Sequence, residues 1–78
     1  MKKYANEHGD SGVTGYEAGS GFIRVRFVNG ITYEYTNASA GAANIKAMTR
    51  CAEAGRGLAT YIQRHVKDRF ARKITGEK

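Results

Sequence analysis

Residues 25–35 read V-R-F-V-N-G-I-T-Y-E-Y, and the turn inside this stretch decides the fold. Apolar and polar residues alternate on both sides of Asn29-Gly30, the pattern of two strands joined in a hairpin. A two-residue type I′ loop would pair Val28 with Ile31, Arg26 with Tyr33 and Arg24 with Tyr35. Directly paired residues share a face, so that register mixes arginines with tyrosines and leaves neither face apolar. A three-residue loop, Val28-Asn29-Gly30, with Gly30 left-handed in a G1 bulge, instead pairs Phe27 with Ile31, Val25 with Tyr33 and Ile23 with Tyr35. The apolar side chains then share one face, and Arg24, Arg26, Thr32, Glu34 and Thr36 share the other. A one-residue slip inverts the whole pattern, and each misplaced side chain costs about 1.5–3 kcal/mol. Burial therefore selects the bulged turn, with Tyr33 and Tyr35 in the core and their hydroxyls reaching an edge or a polar partner.

Upstream, V-T-G-Y-E-A (13–18) reads as a short strand and G-S-G (19–21) as a turn before the strand at Phe22–Val28. Residues 1–10 are polar without periodicity and are expected to form a mobile tail, with His8 exposed in it, ahead of a single domain over 11–76. Downstream the period changes. Ala42, Ile45, Met48, Thr49 and Ala52 fall on one helical face, with Ser39 or Asn37 as the cap, and G-R-G (55–57) separates this helix from the next. Leu58, Tyr61, Ile62, Val66, Phe70 and Ile74 then mark a second amphipathic helix of about four turns. The expected architecture is α+β: a three-stranded antiparallel meander followed by two helices packed on one face, in the order β-β-β-α-α.

Seventy-eight residues hold one small core, whose net stability is only a few kcal/mol; a partner or a homodimer would add to it. The single cysteine, Cys51, excludes an intrachain disulfide and any Cys/His metal set, and points to a reducing compartment. M-K-K-Y-A-N-E-H-G-D has no apolar run after its lysines, so no secretory signal is expected, and no stretch is long and apolar enough to span a membrane. The expectation is a cytoplasmic protein.

Thirteen Lys and Arg against seven Asp and Glu give a net charge of +6 and a pI near 9.8, a balance that suits polyanionic partners. The segment Q-R-H-V-K-D-R-F-A-R-K (63–73) carries five cations and one Asp. On a continuous helix, Arg64 and Lys67 lie opposite the apolar stripe, while Arg72 and Lys73 suit the last-turn dipole. Lys46 and Arg50 from the first helix and Arg56 from the interhelix turn complete a basic surface fit for phosphate contacts. Arg24 and Arg26 on the sheet add to it, unless they form a cross-strand lattice with Glu34. His65 sits at the edge of the apolar stripe and Cys51 at a helix flank, each with a structural role. No paired carboxylates, catalytic triad, metal spacing or phosphate-binding loop motif occurs, so no enzyme, cofactor or metal is expected.

The run G-Y-E (15–17), I-R-V-R-F-V-N-G-I-T-Y-E-Y (23–35) and Y-I-Q-R-H-V-K-D-R-F (61–70) resembles the KTSC domain. That module stands at the carboxyl end of some lysyl-tRNA synthetases and also occurs as a free-standing small bacterial or phage protein. Its mark, Tyr-x-Tyr after a strand and a glycine turn, is matched by Tyr33, Tyr35 and Gly30, and the resemblance spans residues 11–74. The family's proline after Tyr-x-Tyr is replaced here by T-N-A-S-A-G, and G-R-G-L-A-T-Y is about two residues longer than the family's turn. The resemblance implies RNA binding by association with the synthetase.

Two functions follow as expectations. One is a nucleic-acid-binding module, RNA preferred over DNA by the resemblance, using Arg24, Arg26, Lys46, Arg50, Arg56, Arg64, Lys67, Arg72 and Lys73. The other is a protein-interaction module, such as a phage-encoded, anti-CRISPR-like inhibitor of a nucleic-acid-handling complex, with outward-facing Phe22 as its anchor.

Overall fold

The computed structural model describes residues 2–5 and 12–74. Its sheet has five antiparallel strands in sequential order: β1 (Lys2–Lys3), β2 (Val13–Gly19), β3 (Phe22–Phe27), β4 (Thr32–Thr36) and β5 (Arg72–Ile74). Between β4 and β5 run α1 (Asn37–Ala40), α2 (Ala42–Ala54), α3 (Leu58–Tyr61) and a π-helical turn, Ile62–Val66. The expected three-stranded meander followed by two helices is thus corrected. A strand is added at each edge of the sheet, and the helices are an insertion before the last strand rather than the end of the fold.

The β3–β4 hairpin has the register that segregates its side chains, with Ile23 opposite Tyr35, Val25 opposite Tyr33 and Arg24 opposite Glu34. Phe27 N–H donates to Ile31 O at 2.9 Å and Gly30 N–H to Phe27 O at 2.9 Å, closing the three-residue loop. Gly30 sits at φ 87°, and Asn29 Oδ1 accepts from Ile31 N–H at 3.0 Å. A Cβ on Gly30 would meet nothing within 4 Å, so the cost of Gly30→Ala is one of backbone conformation alone, about 1–2 kcal/mol. Gly30→Asn should recover most of it, because Asn tolerates positive φ. Urea denaturation of the two variants checks this, and identical midpoints for Gly30→Ala and wild type would exclude the turn as drawn.

At the end of β4 the chain turns directly into α1. The helix expected to be capped by Ser39 or Asn37 is α2, whose N-cap is Gly41, without a side-chain cap. The capped helix is α1, where Thr36 Oγ1 accepts from Ser39 N–H at 3.2 Å and Ser39 Oγ accepts from Thr36 N–H at 3.0 Å. This reciprocal capping box satisfies orphan donors at the helix start without a proline. Gly55 ends α2 at φ 78°, its N–H donating to Cys51 O and Ala52 O.

The second long helix predicted from Leu58 to Ile74 does not form. After Tyr61 the ladder widens so that Lys67 N–H donates to Ile62 O at 2.6 Å, and Lys67 closes the turn at φ 29°, ψ −93°. Ile62 and Val66 are buried against α2, which uses the first half of the periodic pattern. Phe70 then folds onto Tyr33 and Tyr35, and Arg72–Ile74 pairs with the free edge of β4. Unpaired N–H and C=O groups along that edge are the stronger demand, and they override a helical period.

The amino terminus is also corrected where it is described. Lys2 and Lys3 pair with Tyr16 and Gly15. Tyr4 is 3 % exposed, and its hydroxyl accepts from Leu58 N–H at 3.3 Å. Gly57, the residue before α3, offers no side chain to cap it, so the Tyr4 phenol does. Residues 6–11 and 75–76 of the expected tail and domain, with His8 among them, lie outside the described residues. Both sheet edges are short and cationic, which discourages pairing with further strands.

The core joins Tyr4, Val13, Tyr16, Ile23, Val25 and Tyr35 to Ile45, Met48, Leu58, Ile62 and Val66. Helices cover one face of the sheet. The other face carries Glu17, Arg24, Arg26, Glu34 and Arg72.

Candidate nucleic-acid interface

Register sorts the cations into two groups. Across the open face, Glu17, Arg24, Glu34 and Arg72 stand opposite one another on β2, β3, β4 and β5. Arg24 donates to Glu17 Oε1 at 3.0 Å and reaches Glu34 Oε2 at 3.5 Å, while Arg72 Nε donates to Glu34 Oε1 at 2.9 Å. Signs alternate along this ladder, so it presents little net field to a polyanion. Arg24 also lies 4.8 Å from the centre of the Phe22 ring. That ring covers Gly19, where an added Cβ would collide with it. Phe22, expected as a free anchor, is therefore half-buried between its neighbours. Of the sheet arginines, Arg26 alone is left outside the ladder, exposed beside Gly15 and Thr32.

The helical cations are arranged differently. Lys46 and Arg50 are four residues apart on α2 and line one cleft of about 400 Å³, with Gly19, Gly21, Asn37 and Thr49. The G-S-G turn forms its far wall: Gly21 takes φ 79° and brings backbone, not side chain, toward the helix. Glu53 is the one carboxylate on its rim. Arg64 and Lys67 lie on the π-helical turn and at its end, both exposed, with Arg69 following. Among the described residues no ion pair engages Lys46, Arg50, Arg64, Lys67 or Arg69. Arg56, in the turn between α2 and α3, is exposed.

The single helical patch expected from the sequence is thus divided. Arg72 belongs to the sheet ladder, and Lys73 pairs with Tyr33 at the sheet edge. What the helices retain is a cleft pair, Lys46 and Arg50, and a turn cluster, Arg64, Lys67 and Arg69. Arg69 is not among the residues expected in the patch, and the sequence carries no signal for the cleft, which exists only where the β2–β3 turn meets α2.

Two other residues singled out in the sequence have structural neighbours. His65 stacks on Tyr61 with ring centres 4.2 Å apart, and the Tyr61 hydroxyl donates to Asn44 Oδ1 at 2.6 Å. Cys51 is half-buried. Among the described residues no group of three or more His, Cys, Asp and Glu is placed to hold a metal, and no helix is long and apolar enough to cross a membrane.

Comparison with family models, curated proteins and solved structures returns no match.

Proposed function

We propose that the protein is a small non-enzymatic module that binds nucleic acid by gripping the phosphate backbone with the cations of its helical half. RNA is the preferred polymer by resemblance to the KTSC domain, and the cytoplasm is the compartment where such a module would meet it. One observation carries the reading. Glu17 and Glu34 engage Arg24 and Arg72 on the sheet, while Lys46, Arg50, Arg64, Lys67 and Arg69 are left without carboxylate partners among the described residues. Among the described residues, these five cations are thus left available to an external anion, with Glu53 and Asp68 as the carboxylates nearest to them in the clefts. Each phosphate such a side chain neutralises releases condensed counterions, which supplies affinity without sequence preference. The sheet ladder, with its fixed alternating signs, is the scaffold side of the molecule.

Fluorescence anisotropy of a labelled single-stranded RNA at two salt concentrations tests the reading. Replacing Arg64 and Lys67 together by Glu should weaken binding at least about tenfold and reduce the salt slope by about 1.4, two contacts at about 0.7 each for a single strand. Charge reversal of Arg24, already tied to Glu17 and Glu34, should have a smaller effect on affinity. An unchanged slope in the Arg64/Lys67 variant would remove the turn cluster from the interface.

A further inference from the structure

A second cavity lies at the open end of the sheet, where the helix predicted over 58–74 stops short. It measures about 360 Å³, within the range of small-molecule sites. Phe27, Tyr33, Tyr35 and Phe70 form its walls. Tyr33 lies edge-on to Phe27, with centres 5.6 Å apart and planes at 77°, and tilted to Phe70 at 4.8 Å. Phe27, Tyr33 and Phe70 are only half-buried. Tyr33 is thus on the inner face, as the register requires, yet accessible, because Val66 is the last helical residue above it. Asn29, Gln63, Lys67 and Asp68 ring the opening.

The chemistry of this site changes in order from floor to rim. π-Faces lie inside and side-chain amides and a carboxylate stand at the lip. Asn29 Oδ1 is held by Ile31 N–H, so its NH₂ is the group presented. Lys67 stands with them at the lip, and Lys73 stands opposite Tyr33 in register, on the same face. An alkyl ligand would leave the amides and Asp68 facing apolar surface, and a quaternary ammonium would meet the Lys67 charge. A nucleotide matches all three zones: a flat π-system, a donor and acceptor edge, and a phosphate. Two features of the backbone coincide at the lip, the π-helical turn and the positive φ of Lys67. Such departures are concentrated at functional sites.

We propose that this pocket receives one unstacked base of a bound single strand, with Lys67 and Lys73 at the phosphates on either side. The inference rests on the nucleic-acid reading and adds to it a stacking contact that a purely electrostatic interface lacks.

The test compares a short labelled single-stranded RNA with an abasic strand of the same length and charge, for wild type and for Phe70→Leu. Leucine keeps the pocket apolar while removing a π-face, and thermal melting followed by circular dichroism establishes that the variant is folded. Wild type should bind the normal strand about tenfold more tightly than the abasic one, as expected for one stacked base. Phe70→Leu should lose most of that preference and keep its affinity for the abasic strand. Equal affinity of wild type for both strands would overturn the base pocket and leave backbone binding standing. Preference undiminished in Phe70→Leu would also overturn it, by placing the base contact elsewhere. Absence of binding to either strand would overturn both readings.

Discussion

Tyr4→Ala is expected to leave the protein largely unfolded at room temperature. The ring is 3 % exposed and belongs to the core cluster, and deleting a buried aromatic side chain costs about 3–5 kcal/mol. A domain of this size has about 3–5 kcal/mol of net stability in all, so the loss is comparable to the whole. Two further links go with it. The Leu58 N–H at the start of α3 loses its acceptor, and β1, two residues long, loses the side chain that anchors it. Tyr4→Phe separates these contributions. It keeps the ring and removes the hydroxyl, leaving the buried Leu58 N–H unpaired at a cost of about 1–3 kcal/mol. Urea denaturation monitored by circular dichroism gives both numbers. A Tyr4→Ala midpoint equal to that of wild type would mean that β1 does not dock and that residues 1–10 are the tail their composition suggests.

That disagreement between composition and structure shows what a single sequence exposes. Tyr4 stands alone among polar residues, and period-based reading needs several apolar positions to detect an element. The β3–β4 hairpin was legible for the opposite reason. Several apolar side chains depend on one register, so a slip at Gly30 has a large and calculable cost. The segment after Leu58 misled because Val66, Phe70 and Ile74 recur every four residues, which a helix satisfies. The alternative, in which Phe70 turns inward and Arg72–Ile74 pairs with β4, depends on an unfilled sheet edge far away in the sequence. The same non-local pairing decides the candidate site. The basic residue types were readable at once, but Arg72 meets Glu34 only because β5 exists, and Lys46 and Arg50 face a cleft only because the G-S-G turn is opposite them. Tyr33 is the clearest case. Its face was correctly read from the hairpin, whereas its accessibility depends on where the covering helix ends.

The end of that helix also shapes the environment of Tyr35, which gives the second large effect. Tyr35 is 1 % exposed, and burial first, with lesser contributions from Tyr33 and Asp68, pushes its phenol from 10.0 up to about 12. The phenolate is the form disfavoured by the folded protein. Between these two values the unfolded chain releases the Tyr35 proton and the folded chain retains it, so the unfolded state gains stability as pH rises. The contribution of this group is complete below pH 10 and is lost at about 1.4 kcal/mol per pH unit up to pH 12, about 3 kcal/mol in total. Lysines also titrate in this range, so the informative quantity is a difference. Stability of wild type minus that of Tyr35→Phe, measured by urea denaturation at each pH, should be level up to about pH 9 and then fall by about 3 kcal/mol by pH 12. Parallel curves would mean that the phenol is hydrated in the folded protein, which would require the aromatic pocket to be open down to Tyr35 rather than floored by it.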